Sequence, residues 1–188
     1  MMDEESGVSR PIRTNIGTLY SFYIGPEIEG SEKYTEWFDI LRNSSENDEI
    51  KMHINCYGGD LFTTIQLLRC MEEAQGHITA SIEGACMSAA TLLFLAADAY
   101  EITENSAIMF HNYSSGTYGK GNEMFAYVEF SKPWVEKLFH SRYKKFLSDD
   151  EITRILKGED IWMDSEEVLL RCQIMVEELQ KEHDVKLC

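Results

Sequence analysis

The sequence predicts an α/β domain in which successive strands are joined through helices. Three observations carry the prediction. Segments of alternating hydrophobicity take turns along the chain with segments of helical period, the order that βαβ crossovers require. Glycine or a capping residue stands where each later helix would begin or end. Gly58-Gly59, Ser88 and His111 all fall at strand ends, where sites form in sheets of this kind.

The elements follow in order. Residues 1–18 are read as an N-terminal arm, loose over 1–15, and the domain proper runs over 19–175 with a tail over 176–188. Residues 19–24 are a strand rich in aromatic side chains, ended by Gly25-Pro26. Ser31 is placed to cap a helix reaching about residue 42, and 43–48 is a polar turn. In 49–55, Ile50, Met52 and Ile54 alternate with Lys51 and His53, a second strand. Asp60 caps a helix with Leu61, Ile65, Leu68 and Met71 on one face, closed by Gly76. A strand over 77–82 leads to the small residues around Ser88, and an apolar helix over 89–97 leaves them. Short strands at 99–102 and 107–110 precede His111. A polar, glycine-rich stretch, 112–121, leads to a long helix over 122–146 that Pro133 is expected to kink or restart. Ser148 and Glu151 form a capping box for another helix, ended by Lys157-Gly158. Residues 161–163 are briefly extended, and Asp164 to Glu167 resemble a second cap for a final helix that frays.

Composition narrows the function. The 188 residues suffice for one domain with a real core. A formal net charge of −16 argues against nucleic acid and anionic membranes as partners and favours neutral or basic substrates. No apolar run approaches the roughly 20 residues of a membrane span, and the first residues lack the apolar core of a signal peptide. The five cysteines are scattered without a C-x-x-C pair, so no metal or other cofactor is expected, and reduced thiols in a cytoplasmic setting are the simple reading.

Ser88 is the candidate for chemistry. A strand-to-helix turn presents its hydroxyl beside the free N–H groups of a helix N-terminus, which favour an oxyanion. Taken alone, Ser88 also reads as an ordinary helix cap, and Cys86 as a buried small side chain or a rival thiol nucleophile. Among the five histidines only His111 ends an apolar strand; 33 acidic residues leave the carboxylate partner open.

Four motifs then carry a resemblance. Ile54-Asn55-Cys56-Tyr57-Gly58-Gly59 resembles I-N-S-P-G-G, and Gly84-Ala85-Cys86-Met87-Ser88-Ala89-Ala90 resembles a G-x-A-A-S-M-G/A turn. Ile108-Met109-Phe110-His111-Asn112 resembles M-I-H-Q-P. Asp160-Ile161-Trp162-Met163-Asp164-Ser165-Glu166-Glu167-Val168 resembles D-x-F-L/M-[ST]-A-x-E-A. In this order, from about Leu19 to Met175, the chain is similar to the proteolytic subunit of the Clp protease family (ClpP), as a divergent member. The resemblance implies a crotonase-like spiral of βαβ units with 122–146 as a protruding handle helix. It implies a serine endopeptidase with Ser88 as nucleophile, His111 as base, Asp160 as orienting acid, and the N–H groups of Gly59 and Ala89 as oxyanion hole. Gly58, Asp60, Leu61, Asn112 and Tyr113 would bind an extended peptide. It further implies a homo-oligomeric ring, heptamer or double heptamer, enclosing the sites, with an AAA+ unfoldase as possible partner. Lys51 and His53 stand where the family has two tyrosines of the cleft that receives that partner, which weakens apolar docking. Two other classes compete: a catalytically silent ring subunit with a structural or regulatory role, and an acyl-CoA enzyme on the same fold.

Overall fold

The computed structural model describes residues 17–186, with side chains described through residue 181. The expected loose arm over 1–15 and the last two residues of the tail lie outside the described residues. Within that range the strands are β1 (Leu19–Ile24), β2 (Glu49–Cys56), β3 (His77–Met87), β4 (Ala99–Ile102), β5 (Ala107–Phe110) and β6 (Ile161–Asp164). The helices are α1 (Thr35–Asn43), α2 (Leu61–Glu73), α3 (Ala89–Leu95), α4 (Gly121–Tyr143), α5 (Asp149–Leu156) and α6 (Ser165–Lys186).

The strands form one sheet in the order β1-β2-β3-β5-β6, with β4 also pairing β3. β1, β2, β3 and β4 run parallel through helical crossovers, as the alternation predicts; β6 turns back antiparallel on β5, so the sheet is mixed. β2 buries Ile50, Met52, Ile54 and Cys56 on one face and turns Lys51 and His53 to the other. Leu67, Leu68 and Met71 of α2 and Leu92, Leu93 and Phe94 of α3 join the same core. Each such fully buried side chain contributes about 1.5–3 kcal/mol of transfer free energy.

β3 is longer than expected. It runs through the stretch read as a turn and reaches Met87. Its first half pairs β2 and β4, and Ala85 to Met87 pair β5. Gly84 does not break the strand but makes room for a side chain. The Asn55 Oδ1 accepts the Ala85 N–H at 3.0 Å, and a Cβ on Gly84 would lie 2.7 Å from that oxygen.

Three local expectations are corrected. Ser31 opens a 3-10 turn, Ser31–Tyr34, and makes no capping bond; α1 starts only at Thr35. α2 ends at Glu73, where Ala74 N–H bonds back to Cys70 and Met71; Gly76 instead lets the chain pass close to Asp48, whose carbonyl oxygen would lie 2.8 Å from an added Cβ. α4 runs through Pro133 without a restart. The caps of the other helices form as read. Asp60 Oδ1 accepts Thr63 N–H at 2.6 Å, Ser148 and Glu151 form a reciprocal box, and Asp164 Oδ1 accepts Glu167 N–H at 2.9 Å. α6 runs unbroken across Met175, where the sequence reading put the start of the tail. Among the described residues no helix is long and apolar enough to cross a membrane.

Candidate active site

Two neighbouring parallel strands bring the central pair together. β3 and β5 register Met87 against Met109, so Ser88 and His111 follow at adjacent strand ends. The Ser88 N–H donates to the Met109 carbonyl at 2.9 Å, locking the turn to β5. Ser88 adopts φ 55° and ψ −127°, a conformation that costs a side chain about 1–3 kcal/mol and persists only where its surroundings fix it. It stands at the N-cap position of α3, yet its side chain makes no capping bond. The hydroxyl is bonded instead to His111, with Oγ to Nε2 at 2.6 Å.

The glycine pair fits around that hydroxyl. Gly58 has φ 104°, and a Cβ there would lie 2.6 Å from the Ser88 Cβ. Gly59 forms a parallel bridge with Ile28, whose N–H donates to Gly58 and whose carbonyl accepts from Asp60. In that pattern the Gly59 N–H points away from Ile28, as an unused donor. Ala89 opens α3, so its N–H also lacks a helical acceptor. Gly59, Ala89, Ser88 and His111 line one cleft of about 420 Å³.

The floor of the cleft is apolar, made by Leu92, Val135 and Phe139, and Tyr57, Phe62, Tyr113 and Trp134 stand around it. Phe62 stacks on Trp134 with ring centroids 5.5 Å apart, and the Tyr113 hydroxyl meets Ser131 Oγ at 3.1 Å. Two predicted binding residues have other work. The Asp60 carboxylate is held as the cap of α2, although Asp60 and Leu61 still line the cleft. The Asn112 amide donates to the Leu156 carbonyl at 3.1 Å and its oxygen accepts Tyr113 N–H at 3.0 Å, so this side chain braces α5.

Asp160 is not joined to His111. It is exposed and forms no hydrogen bond or ion pair among the described residues. Its place in the chain is nevertheless close: β5 pairs Phe110 with Ile161 in antiparallel register, and one further step sets His111 opposite Asp160. The neighbouring Glu159 is bonded to Arg154, which holds its carboxyl below the usual range. Cys86 is fully buried, and desolvation pushes its thiol well above the ordinary value, so it is no rival nucleophile at neutral pH. The other described histidines pair elsewhere: His53 with Glu83, His77 with Asp98 and His140 with Asp149.

From the sequence, the aromatic residues of the long helix, Phe125, Tyr127, Phe130, Trp134 and Phe139, are expected to stay partly uncovered in a lone domain, with some of them packed on it. Phe125 and Phe130 are exposed, but Phe139 is buried in the cleft floor and Trp134 is half-buried at its wall. The buried face of the helix is the run Val135, Phe139 and Tyr143, spaced by four, and that spacing was the available signal. Tyr143 and Thr91, which meet beneath Ser88, were not singled out.

A strand–helix turn carrying a serine bonded to histidine, on a largely parallel sheet, defines an α/β protein with a hydroxyl poised beside a base. The chain belongs to the Clp protease family: the family model described as Clp protease matches residues 23–170, most of the domain. It is therefore a Clp-like protease or a related subunit.

Proposed function

We propose that the chain is a serine endopeptidase of the Clp type, cleaving short peptides or unfolded polypeptides inside a ring-shaped homo-oligomer. The observation that carries the reading is the 2.6 Å bond between Ser88 Oγ and His111 Nε2 within the cleft. Ser88 Oγ attacks the peptide carbonyl carbon while its proton passes to Nε2, and the carbonyl electron pair moves onto oxygen. The N–H groups of Gly59 and Ala89 receive that oxyanion. Collapse breaks the C–N bond as His111 returns the proton to the leaving amine; water then repeats the sequence and releases the acid. Asp160 orients the imidazole once its side chain turns toward Nδ1, a change of rotamer from the position opposite His111. The apolar floor suits an apolar substrate side chain. Glu27 and Asp60 at the rim, with no lysine or arginine among the described lining residues, favour neutral or basic peptides.

A fluorophosphonate probe tests the reading by intact mass. One adduct on the wild type and none on Ser88→Ala is expected; an adduct that survives in Ser88→Ala overturns it. The unengaged Asp160 favours a second reading, a silent ring subunit, and assembled wild-type protein that takes no label would establish that one instead.

A further inference from the structure

Beneath the nucleophile lies a buried polar relay, packed beside the apolar Leu92 and Phe110. Thr91 Oγ1 donates to the Ser88 carbonyl at 2.7 Å, and the Thr91 N–H reaches the same oxygen at 3.0 Å. The Tyr143 hydroxyl lies 2.8 Å from Thr91 Oγ1. A threonine hydroxyl has one proton, and here it is committed to Ser88, so Tyr143 is the donor in the second bond. A threonine bonding back to the preceding turn is common in helices and by itself means little. Tyr143 is different: it comes from the far end of α4, 52 residues along the chain, and brings a hydroxyl into a site where an unpaired one would be costly. Both residues are buried, at 0% and 2% exposure.

The place of the relay gives it meaning. Ser88 holds a strained φ and ψ. Its N–H is fixed by the Met109 carbonyl, which constrains the turn from the strand side. Its carbonyl direction is set by ψ, and that oxygen is what Thr91 holds. The Tyr143 ring also packs edge-on against Phe110, with centroids 5.2 Å apart, and Phe110 is the residue before His111. One tyrosine thus braces the backbone on both sides of the Ser–His pair and lines the cleft as well.

We propose that Thr91 and Tyr143 are positioning residues that hold Ser88 in its reactive backbone conformation and couple it to the seating of α4. The proposal rests on Ser88 being the nucleophile. Tyr143→Phe removes one hydroxyl and keeps the ring; Thr91→Val removes the relay; Thr91→Ser restores its oxygen. The second-order rate of fluorophosphonate acylation at Ser88 is measured for each variant across pH, beside a thermal melt.

Tyr143→Phe is expected to slow acylation about fivefold, the scale of one hydrogen bond, at every pH and without moving the midpoint of the profile. Thr91→Val slows it further, Thr91→Ser stays near wild type, and the double variant Thr91→Val/Tyr143→Phe is no slower than Thr91→Val alone. Acylation at the wild-type rate in folded Tyr143→Phe, with only a lower melting temperature, overturns the relay and leaves the nucleophile reading standing. Additive losses in the double variant overturn it too. Wild-type protein that is not labelled at all overturns the nucleophile reading, and this proposal with it. Should Thr91→Val fail to fold, Tyr143→Phe and Thr91→Ser still decide the question.

Discussion

Gly58 carries no side chain because Ser88 occupies the space that one would need, and Ser88 adopts its strained conformation because neighbours grip both its N–H and its carbonyl. Residues of this sort are legible in a sequence when their type is unusual for their place. Two adjacent glycines after a strand, a serine among small residues and a histidine after an apolar run all stood out for that reason. Thr91 and Tyr143 did not, since a threonine in a helix and a tyrosine in an aromatic helix are ordinary, and their meeting depends on two elements folding together. Asp160 lies between these cases. Its motif spacing pointed to it, and the β5–β6 register puts it across from His111, but its carboxylate is turned out to solvent. If, as proposed, Asp160 turns to His111 during turnover, Asp160→Asn is expected to lower kcat on a short peptide by about a hundredfold or more while KM changes little, since a carboxylate in that place would act on the imidazole and not on bound substrate. Steady-state kinetics with a fluorogenic peptide check this. An unchanged kcat would mean that His111 works without Asp160.

At the scale of elements, strands and helix caps were read well because their signals are local. Asp60, Ser148 and Asp164 needed only a side-chain oxygen three residues before a free N–H. Ser31 had the same residue type, but the chain there tightened into a 3-10 turn and left nothing for it to cap. The true length of β3 depended on Asn55, a residue from another strand, filling the space over Gly84. The junction of α5 and α6 was equally unreadable. Arg171 grips the Glu151 carboxylate with two bonds, at 2.7 and 3.0 Å, while Ser148 donates to it as well. Those bonds, Arg171 first, lower the Glu151 pKa from 4.5 to about 2. A depressed carboxylate adds stability that is fully present above the unfolded value and disappears as pH falls through the folded one. The wild type should thus lose stability between about pH 4.5 and 2, and Glu151→Gln should be less stable at pH 6 with a shallower loss over that window. Denaturant titrations at pH 6, 4 and 3 check it; parallel pH profiles for the two proteins would show that the Arg171–Glu151 pair contributes nothing.

At the scale of the molecule, a net charge of −16 and the exposed apolar side chains Phe125, Val128 and Phe130 in the first half of α4 describe surfaces, and surfaces are where sequence reading depends most on resemblance. Apolar side chains exposed together in this way mark an interface. A second copy of the chain is the partner that family membership favours, so the purified protein should sediment as a ring-sized homo-oligomer at micromolar concentration. A monomer there would defeat the claim. The opposite face of the sheet leads to a different expectation. Lys51 is paired with Glu101 at 2.7 Å, and His53 meets Glu83 at 2.5 Å while stacking on Tyr23. An apolar anchor from an unfoldase would have to displace the Lys51–Glu101 ion pair and the His53–Glu83 hydrogen bond, polar groups that already satisfy one another and offer no apolar seat. A standard Clp unfoldase should therefore dock weakly or not at all. Replacing both residues together, Lys51→Tyr/His53→Tyr, removes both paired groups and supplies two apolar rings on the same strand face as Tyr23, so docking should appear. Co-sedimentation with an ATPase ring measures both states. Tight association of the wild type, or none with the double variant while its own ring stays intact, would show that these two positions do not govern the choice of partner.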